Sequence, residues 1–417
     1  MMIPLLFVYF IAALKVFKKT TPNGKVTVYL GKRDFIDHLD SVDPIDGVVV
    51  VENDYLQGRK IFGQVSTTYR YGRAEDEVMG VKFSKEMVLA CSQIVPQVKD
   101  ISSDLTPVQR KLIKKFGTSN AFPFVFQFPP NSPSSVTLQP GDDDDGKPLG
   151  VEYSILTYVS DREDDRGQSR SSVSLIIKKL QYAPLTRGQR LPSSLISKGF
   201  TFSHGKISLE VTLDREIYYH GEKVITTVVV SNSSRKSVKN IKVYVVQHTE
   251  VTMVNAQFSK FVASLETREG CPITPGASFS KQFFLVPLAA SNKDRRGIAL
   301  DGHLKDDDVN LASSTLMAEG KGPSDQTGIV ISYSVRVKLN CGTLGGELVT
   351  DVPFKLMHPN PVSDDYVSAS AAKSQPSKAA LKKMRSIDRL KYEKTYGDDD
   401  EDNLVFEDFA RLRLADE

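Results

Sequence analysis

From about Lys15 onward, apolar residues fall at every second position in one segment after another. Lys25-Val-Thr-Val-Tyr-Leu30 alternates in this way. Ile207, Leu209, Val211 and Leu213 alternate with Ser208, Glu210 and Thr212. Ile331, Tyr333, Val335, Val337 and Leu339 do the same against Ser332, Ser334, Arg336 and Lys338. Successive side chains of a strand point to opposite faces, so the pattern predicts half-buried antiparallel strands. Gly47-Val-Val-Val-Val51 is apolar throughout, and short enough for a strand covered on both sides. Many such segments with turn residues between them predict β-sandwiches. The proline-rich stretches Phe128–Pro133 and Tyr182–Pro192 read as loops, the second as an interdomain hinge.

One segment departs from period two. Thr106-Pro-Val-Gln109 has the form of a capping box with proline at the first helical position, where its missing N–H costs nothing. Val108, Leu112, Ile113 and Phe116 then make an apolar stripe, and Gly117 stops it. Arg110, Lys111, Lys114 and Lys115 occupy the other face, so the spacing predicts a single amphipathic helix laid on a sheet with a basic outer surface.

Beyond about Pro359 the chain turns to serine, alanine, proline and charge, a composition that predicts a disordered tail. Within it Lys373–Lys394 is basic, and Ser386 follows Lys382-Lys-Met-Arg385, which a basophilic kinase could read. Phosphate there would subtract charge from a patch suited to acidic lipid or calmodulin. Leu381, Met384, Ile387 and Leu390 recur every three positions and drift round a helix, which fits a solvated linker equally well. The last stretch, Asp398–Leu414, runs from carboxylates into Leu404, Val405, Phe406 and Phe409, then Arg411 and Arg413. It is too acidic to fold alone and too apolar for an idle end. That mixture predicts a detachable peptide.

Length and composition change this picture little. The 417 residues allow two or three domains, and 40% hydrophobic residues support real cores. Lysine plus arginine total 54 against 51 acidic residues, a balance of +3 that argues against general nucleic-acid binding. Cys91, Cys271 and Cys341 are odd in number and far apart, which supports neither a disulfide framework nor a zinc site and points to the cytosol. Residues 1–14, MMIPLLFVYFIAAL, oppose that reading because they resemble the apolar part of a signal peptide. Basic residues are missing ahead of them, and the run is shorter than the ~20 residues that span a bilayer. A buried extra strand, a membrane-touching tip or a misassigned first exon are the alternatives, and the last is expected.

No catalytic set emerges. Gly141-Asp-Asp-Asp-Asp-Gly-Lys147 has P-loop spacing, but Pro148 stands where magnesium needs Ser or Thr, and four aspartates would repel phosphate. The same run lacks the bidentate glutamate of a calcium loop. Six histidines are scattered without a zinc or nucleophile pattern. Asn232-Ser-Ser234 is a glycosylation sequon, without meaning in the cytosol. Neither a metal nor a cofactor is expected.

Several motifs fall in one order along the chain: Val16-Phe-Lys-Lys19, Pro22-Asn-Gly-Lys25, Tyr29-Leu-Gly-Lys-Arg-Asp34, Tyr71-Gly-Arg73 and Ile217-Tyr-Tyr-His-Gly221. Ile298-Ala-Leu-Asp-Gly302, Asn310-Leu-Ala-Ser-Ser314 and Val405-Phe-Glu-Asp-Phe-Ala-Arg411 continue the series. Together they are similar to the arrestins. Lys206–Leu213 and Asn255–Lys260 look most like the invertebrate visual members. The resemblance implies an all-β protein of two seven-stranded antiparallel sandwiches, residues 15–185 and 193–358, joined by a hinge at 186–192. Residues 1–14 would be an atypical extension and 359–417 a regulatory tail.

It also implies a cytoplasmic, non-enzymatic, peripheral membrane protein that binds an activated G-protein-coupled receptor, light-activated rhodopsin in particular, and blocks its G protein. A general endocytic adaptor is the alternative, and a secreted adhesion protein is a different class. A buried charge latch would comprise Asp34, Asp301, Asp308 and Arg411, and buried charges must be paired. Receptor phosphates would meet Lys18, Lys19, Arg33 and Lys305, and the tail would clasp through Val16, Phe17, Leu112, Phe116, Val405 and Phe406. Glu77, Val78, Met79 and Gly80 would form the tip of the receptor finger loop. Phe406, Phe409 and Arg413 resemble a peptide that binds the clathrin adaptor complex, and Lys239, Lys242 and Lys260 partly match a phosphoinositide site. One position departs from the pattern: Ser174 stands where the family's phosphate-sensing arginine belongs. Activation is therefore expected to depend less on receptor phosphates and more on receptor shape.

Overall fold

The alternating segments become strands whose apolar side chains point one way: Ile207, Leu209, Val211 and Leu213 are all fully buried, as are Val335, Val337 and Leu339. The computed structural model describes residues 14–38, 41–72, 83–98, 102–129, 132–141, 144, 147–185, 188, 190–200, 203–302, 309–316, 328–342, 345–360 and 404–408. In the first half the strands are β1 Leu14–Thr20, β2 Val26–Leu30, β3 Asp34–Asp37, β4 Ile45–Val51, β5 Lys60–Arg70, β6 Ser84–Val95, β7 Ala121–Phe126, β8 Val136–Leu138, β9 Gly150–Ser160 and β10 Ser172–Gln181. In the second they are β11 Ser193–Phe200, β12 Ser203–Leu213, β13 Ile217–Tyr219, β14 Val224–Asn232, β15 Asn240–Val251, β16 Ala256–Thr267, β17 Ser278–Leu285, β18 Ala299–Asp301, β19 Ile329–Asn340 and β20 Glu347–Met357. A last strand, β21 Leu404–Asp408, comes from the tail.

These strands make two sandwiches. The first pairs a sheet of order β21-β1-β2-β4-β7 with one of order β18-β8-β9-β10-β3, which β5 and β6 extend from β9. The second pairs β11-β12-β14-β17 with β13-β20-β19-β15-β16. Most neighbours are antiparallel, as alternation predicts. Three edge pairings are parallel among the described residues: β1 with β21, β3 with β10 and β13 with β20.

The apolar run in β4 has a simple cause. Val49 faces the sandwich core, while Val48 faces a separate apolar layer under the helix. That helix spans Pro107–Phe116 with the expected capping box, and Gly117 closes it at a φ of 83°. Its cap residue Gln109 is fully buried, and its amide donates to the Gly47 and Phe124 carbonyls at 2.9 and 3.0 Å. One side chain thus caps the helix and fixes it across β4 and β7.

The two halves are bound by backbone. β18 belongs to the second half of the chain yet pairs with β8 of the first sandwich, Ala299 opposite Leu138 and Asp301 opposite Val136. Gln247 of β15 fixes β18 from the other side: it donates to the Ala299 carbonyl at 2.9 Å and accepts from the Ala299 amide at 2.8 Å. A second junction joins the strand ends, where the Ala183 amide donates to the His358 carbonyl at 2.9 Å. Arg296 crosses the same boundary to Asp144, one residue of the acidic run that mimics a P-loop, at 2.5 Å.

Candidate functional site

The tail strand lies parallel to β1 in a register that sets Val16 against Phe406 and Lys18 against Asp408. Alternation then decides which side chains meet the helix. Leu404 and Phe406 join Val16, Tyr29, Val48, Val108, Leu112 and Phe116 in one apolar cluster. The Phe406 ring meets Tyr29 edge-on at 5.6 Å and Phe116 at 6.3 Å, with the Lys115 ammonium 4.8 Å over its face. Two expected members of the clasp point elsewhere. Val405 is 48% exposed, and Phe17 packs into the sandwich core on the other face of β1. Each lies one residue from an inward neighbour, so the pleat turns it away. Leu404 and Leu14 are the residues that take their places.

Charge backs the apolar contact. Lys15 meets Glu407 at 2.5 Å and Lys18 meets Asp408 at 3.6 Å. Arg33 lies 4.2 Å over the Phe17 ring. Burial pushes its guanidinium pKa down, while Asp34 and Glu407 work in the opposite sense. Lys19 reaches across to β10, where its ammonium donates to the Ser174 carbonyl at 2.6 Å. A cation from β1 therefore lies against the position at which an arginine was expected from β10.

The expected latch is redistributed. Asp34 is exposed at the first position of β3, where alternation gives the interior to Phe35, and it is not joined to Asp301 among the described residues. Asp301 is buried, and its partners are histidines. Its Oδ2 lies 2.5 Å from His358 Nε2 and 3.8 Å from His220 Nε2, and its Oδ1 accepts from the Ser313 amide at 3.0 Å. Burial pushes the carboxyl pKa up, but His358, His220 and the Ser313 amide outweigh it and hold Asp301 below its usual value. This cluster escaped sequence reading because Asp301 ends β18 while His220 and His358 directly follow β13 and β20, with no spacing to betray it.

The three lysines proposed for phosphoinositide do not converge. Lys239 and Lys242 lie at the start of β15, and Lys242 is engaged by Glu266 at 3.1 Å. Lys260 pairs with Gln247, five residues further along β15, or roughly 16 Å away. There it lines an interdomain cavity of about 460 Å³ with Lys147 and Arg296. The sequon residue Asn232 is buried, and its amide donates to the Lys236 and Ile273 carbonyls at 2.7 and 3.0 Å. Finger-loop residues Glu77, Val78, Met79 and Gly80 lie outside the described residues, as do Lys305, Asp308, Ser386, Phe409, Arg411 and Arg413, and all of 1–14 except Leu14. β5 and β6, which flank the segment expected to form that loop, are described as far as Tyr71 and Phe83, where the Tyr71 amide donates to the Phe83 carbonyl at 2.9 Å. Among the described residues no helix is long and apolar enough to cross a membrane.

Comparison with known proteins gives a consistent result. Residues 26–183 match the family described as "Arrestin (or S-antigen), N-terminal domain", and residues 203–361 match its C-terminal domain. An arrestin homolog of Locusta migratoria is 73% identical over 414 residues, covering 99% of each chain. Phosrestin-1 of Drosophila melanogaster is 68% identical over 97% of this chain and 98% of its own. A Limulus polyphemus protein named "Arrestin, lateral eye" is 54% identical over 100% of this chain and 99% of its own.

Proposed function

The chain belongs to the arrestin family, and from that premise we propose that it binds light-activated rhodopsin, blocks G-protein coupling and so ends the light response. The observation that carries the reading is the docked tail strand, with Phe406 under the helix and Glu407 and Asp408 on Lys15 and Lys18. An apolar clasp with an ionic rim is a releasable device. A receptor phosphate is a stronger acceptor than a carboxylate and carries more charge, so it competes for Lys18 and Arg33, which the tail's acids now face, and for Lys19, now on the Ser174 carbonyl. Once the rim is lost, the strand is held by half-buried side chains and one ladder of hydrogen bonds.

Ser174 sets the balance of inputs. It offers no charge to a phosphate, and Lys19 brings a cation to that point of β10. Receptor shape, read by Glu77–Gly80 entering the receptor's cytoplasmic cavity, therefore supplies more of the drive. Asp34, Asp308, Arg411 and Lys305 remain proposed members of the switch around Asp301. Release would expose Phe406, Phe409 and Arg413 to the clathrin adaptor complex, two aromatic anchors one helical turn apart with a charged stop. Lys239 and Lys242 would take a phosphoinositide headgroup without Lys260. The Ser386 segment would bind acidic lipid or calmodulin until phosphorylated. We read the protein as non-catalytic and cytoplasmic, recruited to the photoreceptor membrane. The secreted reading loses one of its two supports, the sequon, since the Asn232 amide is committed inside the fold.

Co-sedimentation with opsin-bearing membranes, in light and dark and with or without phosphatase, tests this. Light-dependent binding that survives dephosphorylation is expected. Binding without light dependence would leave the general endocytic adaptor.

A further inference from the structure

We propose that His220, Asp301 and His358 form a divalent-metal site of zinc type at the junction of the two domains. The donor atoms His220 Nε2, Asp301 Oδ2 and His358 Nε2 all lie within 4.8 Å of one another. Both imidazoles aim the same nitrogen at one carboxylate oxygen, from 3.8 and 2.5 Å. Two imidazoles and a carboxylate, with no thiol, are the donor set zinc accepts when it keeps a fourth position for water. The side chains are only 7, 10 and 14% exposed, so an ion there would be shielded yet reachable.

The surroundings orient the set. The Ser313 amide donates to Asp301 Oδ1 at 3.0 Å, which leaves Oδ2 for the ion, an outer contact of the kind that fixes ligand direction in metal sites. The Ser313 hydroxyl, 3.0 Å from His220 Nε2, would yield that nitrogen to the ion. The position gives the ion a structural role. Asp301 ends the strand that pairs with β8 of the first sandwich, and the His358 carbonyl accepts from Ala183 at 2.9 Å. His220 directly follows β13, its amide donating to the Met357 carbonyl at 3.1 Å. One ion would therefore tie both backbone junctions between the domains.

Metal-stripped full-length chain titrated with Co²⁺ tests the site. One equivalent is expected to bind with the visible spectrum of four-coordinate cobalt, to be displaced by Zn²⁺, and to raise the melting temperature. X-ray absorption of the wild-type cobalt form should count two imidazoles and no sulfur. H220Q and H358Q should each lose the spectrum and the rise in melting temperature that metal gives, each judged against its own melting temperature in chelator. Absence of saturable uptake, sulfur from Cys91, Cys271 or Cys341 in the shell, or a spectrum unchanged in both variants would overturn the proposal. The absorption measurement needs no variant, so it decides even if the substitutions disturb folding.

Discussion

At the scale of single residues, the pleat makes neighbours unequal. Phe406 lies among Tyr29, Phe116 and Lys115, whereas Val405 looks outward. F406A should weaken tail docking by about 2 kcal/mol, the cost of exposing a partly buried aromatic. V405A should change it by less than about 0.5 kcal/mol, as exposed substitutions do. Protease nicking of the tail gives the comparison, and equal sensitivity in both would contradict the register. This difference was not legible in the sequence, because the face a tail residue presents depends on its pairing with a strand at the far end of the chain.

Asp43 offers a test of a different kind. Burial opposes its charge, but Lys32 at 2.9 Å, the Ile36 amide at 3.1 Å and His38 outweigh that and hold its pKa below the usual value. A depressed carboxyl stabilises the fold above its unfolded pKa, near 4, and loses that contribution as pH falls through the lower folded value. D43N should therefore cost about 2 kcal/mol at neutral pH, the worth of hydrogen bonds to a charged group. Melting of both proteins from pH 7 to pH 3 should show the gap closing below pH 4. A constant gap would mean that shape, not charge, matters at this position.

Among the elements, the helix at Pro107–Phe116 was the most legible, since its cap, proline, stripe and stop are all local. What the sequence could not reveal is that Gln109 also reaches Gly47 and Phe124. T106A should cost about 1 kcal/mol, an ordinary capping loss. Q109L should cost roughly 3 kcal/mol, because it removes the second half of the box and strands two buried carbonyls. Denaturant midpoints check both, and equal losses would mean that Gln109 only caps. Long strands such as β12 and β19 were plain from period two. β8, β13 and β18 were not, since each has three residues and too few positions to display a period.

For the whole molecule, the expectation of two sandwiches joined by a hinge missed how the halves exchange backbone. β18 is donated to the first sandwich and β21 returns to it from the tail. Both are long-range pairings that no local pattern encodes. Likewise Asp301 was chosen from a family resemblance, but its histidine partners, one of them 57 residues away, were visible only in three dimensions. The consequence is a body whose resting state is closed by its own end. A chain ending at residue 397 should lack that closure and bind dark or unphosphorylated opsin membranes several-fold more than the full chain. Equal binding in a sedimentation assay would remove the tail from the switch.

The most direct test of the account follows the tail itself. Spectroscopic labels placed on cysteines at Val405 and at Arg110, on the exposed side of the helix, leave the clasp intact, provided the three native cysteines are replaced. Their separation can be measured on opsin membranes in the dark and in the light. A short separation in the dark that lengthens when light drives binding is predicted, including on dephosphorylated receptor. A separation that stays short while the protein is bound to illuminated receptor would contradict the account.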